Sequence, residues 1–268
     1  MGETDLERLM RQWRLQADGA PFRTSTSLLA PVRREGAAAM LKLPTSDDEA
    51  GGAAALAWFD GEGAVRLLAR EGLAQLLERA EGEGSLTGMV AAGREDAASA
   101  VIGATLQALH RPRPPPLPTL LPLERRLRAL FAAPAEGLIA EAQTEARRLL
   151  ATSPTPIVLH GDIHHENFVH DQSRGWLAID PKGLIGECAY DYANSLANPI
   201  SRPDVVLAPG RLARQAATLA DIAGLDLARL LRWAFVHAAL AACWSREDGA
   251  EDSHWIEVAH RSRALLRS

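Results

Sequence analysis

Two short apolar runs, separated by a polar loop, constrain this chain more than any other feature of its sequence. Residues 157–159 precede Asp162 by three positions, and residues 176–179 lead directly into Asp180. Asn167 lies between the runs, five residues after Asp162. Short apolar runs bounded by polar and glycine residues are typical of buried strands. Two such strands joined by a turn would bring the three polar side chains to one end of a hairpin-like unit.

These three side chains suit a divalent cation and a proton acceptor. Carboxylate and amide oxygens are the ligands that hard cations prefer, so Asn167 and Asp180 are predicted metal ligands. Asp162 is then left to accept a proton from a reacting hydroxyl. A zinc site on the neighbouring histidines is a weaker alternative, because His164 and His165 are adjacent in sequence and adjacent residues do not face one ligand together.

A lone lysine lies inside an apolar strand near the N-terminus. Residues 27–32 and 37–43 are predicted strands joined by a turn, and Lys42 falls in the second of them. A charge in an apolar strand is unfavourable unless it is paired or meets a ligand. Lys42 is therefore a candidate for binding an anionic ligand, with a surface lysine on an edge strand as the alternative.

In chain order, Lys42, the string H-G-D-x-x-x-x-N and the later I-D resemble the catalytic machinery of the protein-kinase-like phosphotransferases. The His-Gly-Asp form, where protein kinases have His-Arg-Asp, is typical of the antibiotic and small-molecule kinases. Two further strings, Ile-Asp-Pro-Lys-Gly at 179–183 and Pro-Val-Arg-Arg-Glu-Gly at 31–36, are more specific. With them the chain, over residues 10–200, is similar to the aminoglycoside/hydroxyurea antibiotic resistance kinases, and in particular to the streptomycin 6-phosphotransferases.

The resemblance implies an α+β fold with two lobes, as in protein kinases. Residues 1–80 would form a small N-terminal nucleotide-binding lobe with an antiparallel sheet, ending in the linker between the lobes. Residues 81–268 would form a larger, mostly helical C-terminal lobe with the catalytic loop and the acceptor site. The abundance of Ala, Leu and Arg favours helices and agrees with this division.

The resemblance also implies ATP and Mg²⁺ as cofactors and a role for each motif residue. Asp162 would be the catalytic base, Lys42 would contact the α- and β-phosphates, and Glu49 would pair with Lys42, with Asp47 and Asp48 as competitors. The usual glycine-rich phosphate loop is absent. The further residues expected to act are Ser25, Thr26 and Ser27 at the phosphates, the backbone of Glu78 and Ala80 at the base, and His160 and Asp191 as braces of the catalytic loop.

The implied acceptor is a streptomycin-like aminoglycoside, which is cationic and carries guanidinium groups. Carboxylates pair bidentately with guanidinium, so acidic residues are expected around the acceptor. The candidates are Glu187 and the cluster of Glu247, Asp248 and Glu251, for which a solvated surface loop is the alternative. Two other functions stay open: a metabolic kinase for a sugar, amino alcohol or hydroxyurea-like compound, and a catalytically inactive kinase-like binding module.

Composition narrows the partners and the compartment. A net charge of −5 argues against nucleic acid as a partner. No apolar run reaches the roughly 20 residues that a membrane helix needs, and we find no signal peptide. The cysteines, Cys188 and Cys243, do not form a disulfide framework. We therefore expect a cytoplasmic protein, with a monomer as the expected oligomeric state. The resemblance, and not the composition, implies that it binds a nucleotide and a small cationic acceptor.

Overall fold

An antiparallel sheet occupies the N-terminal part of the chain. Residues 3–45 and 50–267 are described by the structure, a computed structural model. The sheet order is β1-β3-β4-β6-β5. The short strand β2 also pairs with β3, outside this order. A two-residue turn, in which Glu35 and Gly36 both have positive φ, joins β3 to β4, as tight hairpins require. The strands are β1 (Leu15–Ala17), β2 (Phe22–Arg23), β3 (Ser27–Arg34), β4 (Ala37–Pro44), β5 (Leu67–Glu71) and β6 (Ala74–Glu78).

Two helices accompany this sheet, and they belong to different cores. Helix α1 (Glu3–Gln12) packs its leucines Leu6 and Leu9 with the buried side chains of the sheet in a small core of their own. Helix α2 (Ala50–Phe59) instead joins the large core of the C-terminal part, through residues such as Leu56 and Phe59. The boundary between the lobes that the sequence predicts near residue 80 lies just after the end of β6. The hydrophobic cores do not follow that boundary, because α2 precedes it and belongs to the core of the C-terminal part.

Ten helices build most of the remaining chain within the described residues. The longest of them, α11, is buried over most of its length and packs against α7, α8 and α12. Its apolar residues therefore form the centre of the C-terminal core. The helices are α3 (Leu86–Ala91), α4 (Glu95–Leu109), α5 (Leu123–Arg126), α6 (Arg128–Ala132), α7 (Gly137–Ala151), α8 (Ala189–Ser195), α9 (Pro203–Val206), α10 (Arg211–Ala223), α11 (Leu227–Glu247) and α12 (Ser253–Leu265).

The central segment does not form the single hairpin that its two apolar runs suggest. The first run, β8 (Ile157–Leu159), pairs with β11 (Leu184–Gly186), which also pairs with β7 (Leu121–Pro122). The second run, β10 (Gly175–Ala178), pairs with β9 (Phe168–Asp171). The hairpin prediction was wrong because a short turn lets β10 fold back on its immediate neighbour in sequence.

The two strand pairs are nevertheless held together at the loops that follow them. The Ile179 N–H donates to the Asn167 carbonyl at 2.9 Å, and the Lys182 N–H donates to the His160 carbonyl at 2.8 Å. These backbone bonds bring the loop after β8 next to the loop after β10. The polar residues of both loops therefore still meet at one place, as the sequence predicts.

A buried ion pair fixes the loop after α8. The Arg211 guanidinium lies 2.6 Å from the Glu95 carboxylate and also donates to the carbonyls of Leu196 and Asn198. The Arg211 side chain is only 2% exposed. Breaking a buried pair leaves an uncompensated charge, whose penalty is large. This one arginine therefore joins α4, α10 and the segment after α8.

Replacing Arg211 is expected to destabilise the protein strongly. We expect Arg211→Met to lower the free energy of unfolding by about 3–5 kcal/mol, because it strands the buried Glu95 carboxylate. Arg214→Met is a matched control, since the Arg214 guanidinium lies 3.5 Å from the same carboxylate but is 54% exposed. Its expected effect is about 1 kcal/mol or less. Urea unfolding of both variants measures the difference, and equal losses would contradict the assignment.

Candidate active site

The loop after β8 is held in shape by one buried carboxylate. Asp191, which is fully buried in the first turn of α8, accepts hydrogen bonds from the N–H groups of His160 at 2.9 Å and Gly161 at 2.7 Å. His110 Nε2 lies 2.9 Å from the same carboxylate. Gly161 has φ +82°, a conformation that favours glycine. These bonds aim the next residue, Asp162, away from the strand.

His160 connects the two loops through its ring. Its Nε2 donates to the Ile179 carbonyl at 2.8 Å, and its Nδ1 accepts the Asp162 N–H at 3.2 Å. Burial lowers the pKa of His160, although the carboxylates of Asp191 and Asp162 oppose the shift. A neutral ring with both nitrogens engaged is suited to bracing the loop and is not suited to accepting a proton.

The Asp162 carboxylate lies between amides and positive charges. Asn194 and Asn167 each place a side-chain Nδ2 3.4 Å from one of its oxygens. Burial raises the pKa of Asp162, but the positive charges of His164 and Lys182 outweigh it, and the pKa is lowered. The carboxylate is therefore ionised at neutral pH and able to accept a proton from a hydroxyl.

A lysine–aspartate pair joins the N-terminal sheet to the loop after β10. Lys42 Nζ on β4 lies 3.0 Å from Asp180 Oδ1, and the lysine side chain is only 3% exposed. Asp180 itself has φ +57°, so its carboxylate is turned out of the strand direction. Glu49, Asp47 and Asp48, the expected counter-charges of Lys42, lie outside the described residues.

The donor set here fits a hard divalent cation. Asn167 Nδ2 donates to the Asp162 carbonyl at 2.8 Å, which leaves the amide oxygen of Asn167 as an available ligand. The Asp180 carboxylate supplies a second oxygen from the neighbouring loop. Within residues 3–45 and 50–267, no group of three or more His, Cys, Asp or Glu side chains could enclose a metal. Mg²⁺ suits this arrangement, because it is commonly held by one or two protein oxygens together with substrate phosphates.

The loop between β2 and β3 is exposed to solvent in its middle, and a hydrogen bond closes it where β3 begins. Ser25 is exposed and Thr26 is half-buried, so both are accessible to a phosphate. Ser27 differs from the expectation, because its N–H donates to Thr24 Oγ1 at 3.1 Å and its hydroxyl is buried. The Ser27 N–H thus closes the turn and is not available to a ligand. A phosphate contact by the Ser27 hydroxyl stays a prediction.

The linker after β6 is the segment predicted to bind the base through its backbone. The Glu78 N–H donates to the Arg66 carbonyl at 2.9 Å, so this N–H is already engaged within the protein. The Glu78 carboxylate pairs with Arg66 and Arg174 on the other side of the strand. Ala80 follows in the linker, which is tied to β9 by a hydrogen bond from the Gly82 N–H to the His170 carbonyl at 2.9 Å.

Asp162 opens onto a cavity of about 490 Å³ in the C-terminal part. One wall is aromatic, and the Arg126 guanidinium stacks on the Trp244 ring at 4.2 Å from its centroid. His237 is buried, with 4% of its surface exposed, and burial lowers its pKa to about 4, so it presents a neutral ring. The lining residues are Arg126, Asp162, His164, Glu166, Asn194, Asn198, Ile200, His237, Ala241, Trp244 and Trp255.

The sequence matches a known family model over residues 12–249, most of the chain. That model describes the aminoglycoside/hydroxyurea antibiotic resistance kinases. The chain belongs to this family. It is 42% identical to the streptomycin 3''-kinase of Klebsiella pneumoniae, over 96% of this chain and 98% of that one. It is 31% identical to the streptomycin 6-kinase of Streptomyces glaucescens, over 91% of this chain and 83% of that one.

Solved structures show the same fold at much lower identity. The amicoumacin kinase solved with AMP-PNP, Ca²⁺ and Ami superposes with a TM-score of 0.65, covering 99% of this chain and 93% of that one, at 14% identity. The two-lobed, protein-kinase-like α+β fold implied by the sequence motifs is thereby confirmed. The chain is a phosphotransferase of this kinase family. In the described part of the chain, no helix has the length and apolar character that crossing a bilayer requires.

The carboxylates expected around the acceptor are not those that line the cavity of this kinase. Glu187 is 2% exposed and pairs with Arg229, whose Nη2 lies 2.7 Å from Glu187 Oε2, so its charge serves to join α8 and α11. Glu247, Asp248 and Glu251 are exposed at the end of α11 and beyond it. The structure therefore corrects the prediction for Glu187 and places the cluster on a solvated loop, the alternative considered for it.

Sequence reasoning missed most of the cavity wall. Asn194 and Asn198 are four residues apart, a spacing that puts two side chains on the same side of a helical turn. Trp244 and Trp255 are two of only six tryptophans in the chain. These were available signals, but nothing in their local sequence relates them to Asp162. His164 was noted, but for a zinc site.

Helix α2 lies directly on the backbone that follows Asp180, the predicted metal ligand. A Cβ placed on Gly52 would lie 2.5 Å from the Pro181 carbonyl oxygen, and one on Gly51 would meet the Lys182 carbonyl oxygen. Real Cβ atoms do not approach backbone that closely. Only glycine therefore allows the helix to seat against residues 181–182, next to Asp180.

We expect Gly52→Ala to displace this contact and to lower the kcat/KM of the kinase for the nucleotide by roughly 10- to 100-fold, since small misplacements of reacting groups have effects of this size. Gly88→Ala is a matched control in α3, where the nearest atom to an added Cβ is at 3.5 Å. Steady-state kinetics at varied nucleotide concentration measures the effect. An unaltered kcat/KM in Gly52→Ala would show that the contact does not position Asp180.

Proposed function

We propose that this kinase transfers the γ-phosphoryl group of ATP to a hydroxyl of streptomycin or a closely related aminoglycoside. The observation that carries the proposal is the position of the ionised Asp162. It lies at the edge of the 490 Å³ cavity and within hydrogen-bonding distance of Asn167, the metal-ligand candidate that the backbone links to the loop of Asp180. A base placed between an acceptor cavity and a nucleotide–metal site is what phosphoryl transfer to a hydroxyl requires.

Each residue of the site has a task in this reaction. Lys42 would hold the nucleotide phosphates, and Asn167 and Asp180 would hold Mg²⁺, which when bound supplies neutralising charge for the phosphates. Asp162 orients the acceptor hydroxyl in line with the γ-phosphorus and takes its proton as the new O–P bond forms and the bond to ADP breaks. Asp191 and His160 keep Asp162 in place throughout.

The acceptor is proposed from relatedness over nearly the whole chain. The 42% identity to a streptomycin 3''-kinase is an average over 96% of this chain. A hydroxyurea phosphotransferase of Kitasatospora aureofaciens, 32% identical over 90% of this chain and 72% of that one, supports a second candidate acceptor. A cavity of about 490 Å³ is large for hydroxyurea and favours the aminoglycoside.

A release assay for ADP tests the proposed function. Purified kinase would be given ATP and Mg²⁺ with streptomycin, hydroxyurea, other aminoglycosides, choline or simple sugars in separate reactions. We expect streptomycin to raise ADP release well above the rate with water alone, and EDTA to abolish it. Phosphorus–proton correlation NMR of the product then assigns the 3'' or the 6 position. If no acceptor raises the rate, the enzymatic proposal fails, and turnover of hydroxyurea alone would select the second candidate.

We also propose that the kinase works as a monomer in the cytoplasm. Cys188 and Cys243 are both free thiols, which suits a reducing compartment. Light scattering at micromolar concentration tests the oligomeric state.

A further inference from the structure

We infer that Glu166 binds the nitrogen cation of the acceptor that neighbours the hydroxyl deprotonated by Asp162. This inference rests on the proposed function and goes beyond it, because it assigns a recognition residue and a rule for which hydroxyl is chosen. The rule is chemical: the site would select a hydroxyl whose neighbouring ring carbon carries a positive charge.

The positions of the two carboxylates support the inference. Glu166 lies in the one-turn 3₁₀ segment His165–Asn167, four residues after Asp162 in the same loop. The His164 ring lies between them, with Nδ1 2.9 Å from Glu166 Oε2 and Nε2 3.8 Å from Asp162 Oδ2. The two carboxylates are thus held on either side of one imidazole ring. Each could then bond one of two substituents on adjacent carbons of a sugar, because the pair of substituents and its two hydrogen bonds together span such a gap.

The Glu166 carboxylate is held in place by two hydrogen bonds and can accept more. His164 Nδ1 bonds one oxygen, and Thr87 Oγ1 donates to the other at 3.3 Å. A carboxylate has about four acceptor positions, so lone pairs remain for a ligand. The Glu166 side chain is 42% exposed and lines the cavity. Among the cavity residues that the structure describes, Asp162 and Glu166 are the two carboxylates.

Arg126 and His164 are the positively charged residues of the cavity, and His164 is already paired with Glu166. Arg126 covers the face of Trp244 and would repel a second cation there. Trp255 adds an uncharged aromatic surface to the wall. Glu166 is then the wall residue that attracts a cation without also being the proton acceptor.

The chemistry of streptomycin fits this arrangement at either of its two candidate positions. The 6-hydroxyl of its streptidine ring neighbours a carbon that bears a guanidinium group. The 3''-hydroxyl of its amino sugar neighbours a carbon that bears a methylammonium group. In both cases a cation beside the reacting hydroxyl would meet Glu166 when the hydroxyl meets Asp162. Hydroxyurea has no such cation and gains nothing from the residue.

The variant Glu166→Gln tests the inference, because glutamine keeps the size and an acceptor oxygen for His164 but removes the charge. We expect the KM for streptomycin to rise roughly 10- to 100-fold, as for loss of a hydrogen bond to a charged group. The kcat and the KM for ATP should stay within about threefold of the native values, a much smaller change than the one expected in the KM for streptomycin. Glu166→Asp should recover part of the affinity, and Glu136→Gln, at the exposed start of α7, is the matched control.

A second measurement does not depend on turnover. Trp244 and Trp255 line the cavity, so streptomycin binding without nucleotide should change tryptophan fluorescence, and its Kd should rise in Glu166→Gln by the same factor as the KM.

An unchanged KM and Kd for streptomycin would overturn the inference. A lower kcat with an unchanged KM would also overturn it, because Glu166 would then act only through His164. If the native kinase does not phosphorylate streptomycin, the proposed function fails and the inference fails with it. If the native kinase is active and Glu166→Gln equals it, only the inference fails.

Discussion

Replacing Asp162 by asparagine is expected to lower kcat by roughly 10²- to 10⁴-fold, the usual contribution of a general base. Asparagine preserves the shape of the side chain and keeps one acceptor oxygen, so it can accept a hydrogen bond from either Asn167 or Asn194, which donate to different oxygens of Asp162. It has no basic oxygen to take the hydroxyl proton. The KM values for ATP and for the acceptor should therefore change little while kcat falls, and steady-state kinetics separates the two.

The control for this variant is a similar change at an exposed aspartate. Asp221→Asn in α10 removes one negative charge from the surface and should leave kcat unaltered. A kcat for Asp162→Asn within threefold of the native value would show that another group takes the proton. His164, which lines the same cavity, would be the first residue to test in that case.

The second large effect is expected for Asp180→Asn. Asp180 is the partner of Lys42 Nζ at 3.0 Å and the proposed metal ligand, so removing its charge would affect both proposed contacts to the nucleotide. Charge stabilisation by a bound metal is worth several kcal/mol, and each 1.36 kcal/mol is a factor of ten. We therefore expect kcat/KM for the nucleotide to fall by about 10³-fold, with a higher Mg²⁺ concentration needed for half-maximal rate.

A double-mutant cycle with Lys42→Met tests whether the two residues act together. Because Lys42 and Asp180 are in direct contact, the double variant should be far less impaired than the product of the two single effects. Isothermal titration with ATP, with and without Mg²⁺, gives a readout that is independent of turnover. Fully multiplicative effects would mean that the lysine and the aspartate serve separate parts of the site.

Residues close in sequence were predicted well because their geometry is set locally. Asp162 and Asn167 are five residues apart in one loop, so the spacing of the motif already limits where their side chains can go. The antiparallel sheet with Lys42 on β4 also follows from local signals, namely two apolar strands and a tight turn at Gly36. The pairing of β8 was not predictable in this way, since its partner β11 lies some 25 residues further along the chain.

The sequence by itself determined the reaction class, because its motif residues and their spacing resemble those of a kinase family whose model matches residues 12–249 of the chain. The tertiary structure alone decided which residues form the acceptor cavity. That cavity is built from α5, the catalytic loop, α8, α11 and α12, which are far apart in sequence and meet only when their apolar faces are buried together. Glu187 and Glu166 cannot be told apart by their sequence context. The structure separates them, because Glu187 is buried beside Arg229 and Glu166 is exposed in the cavity.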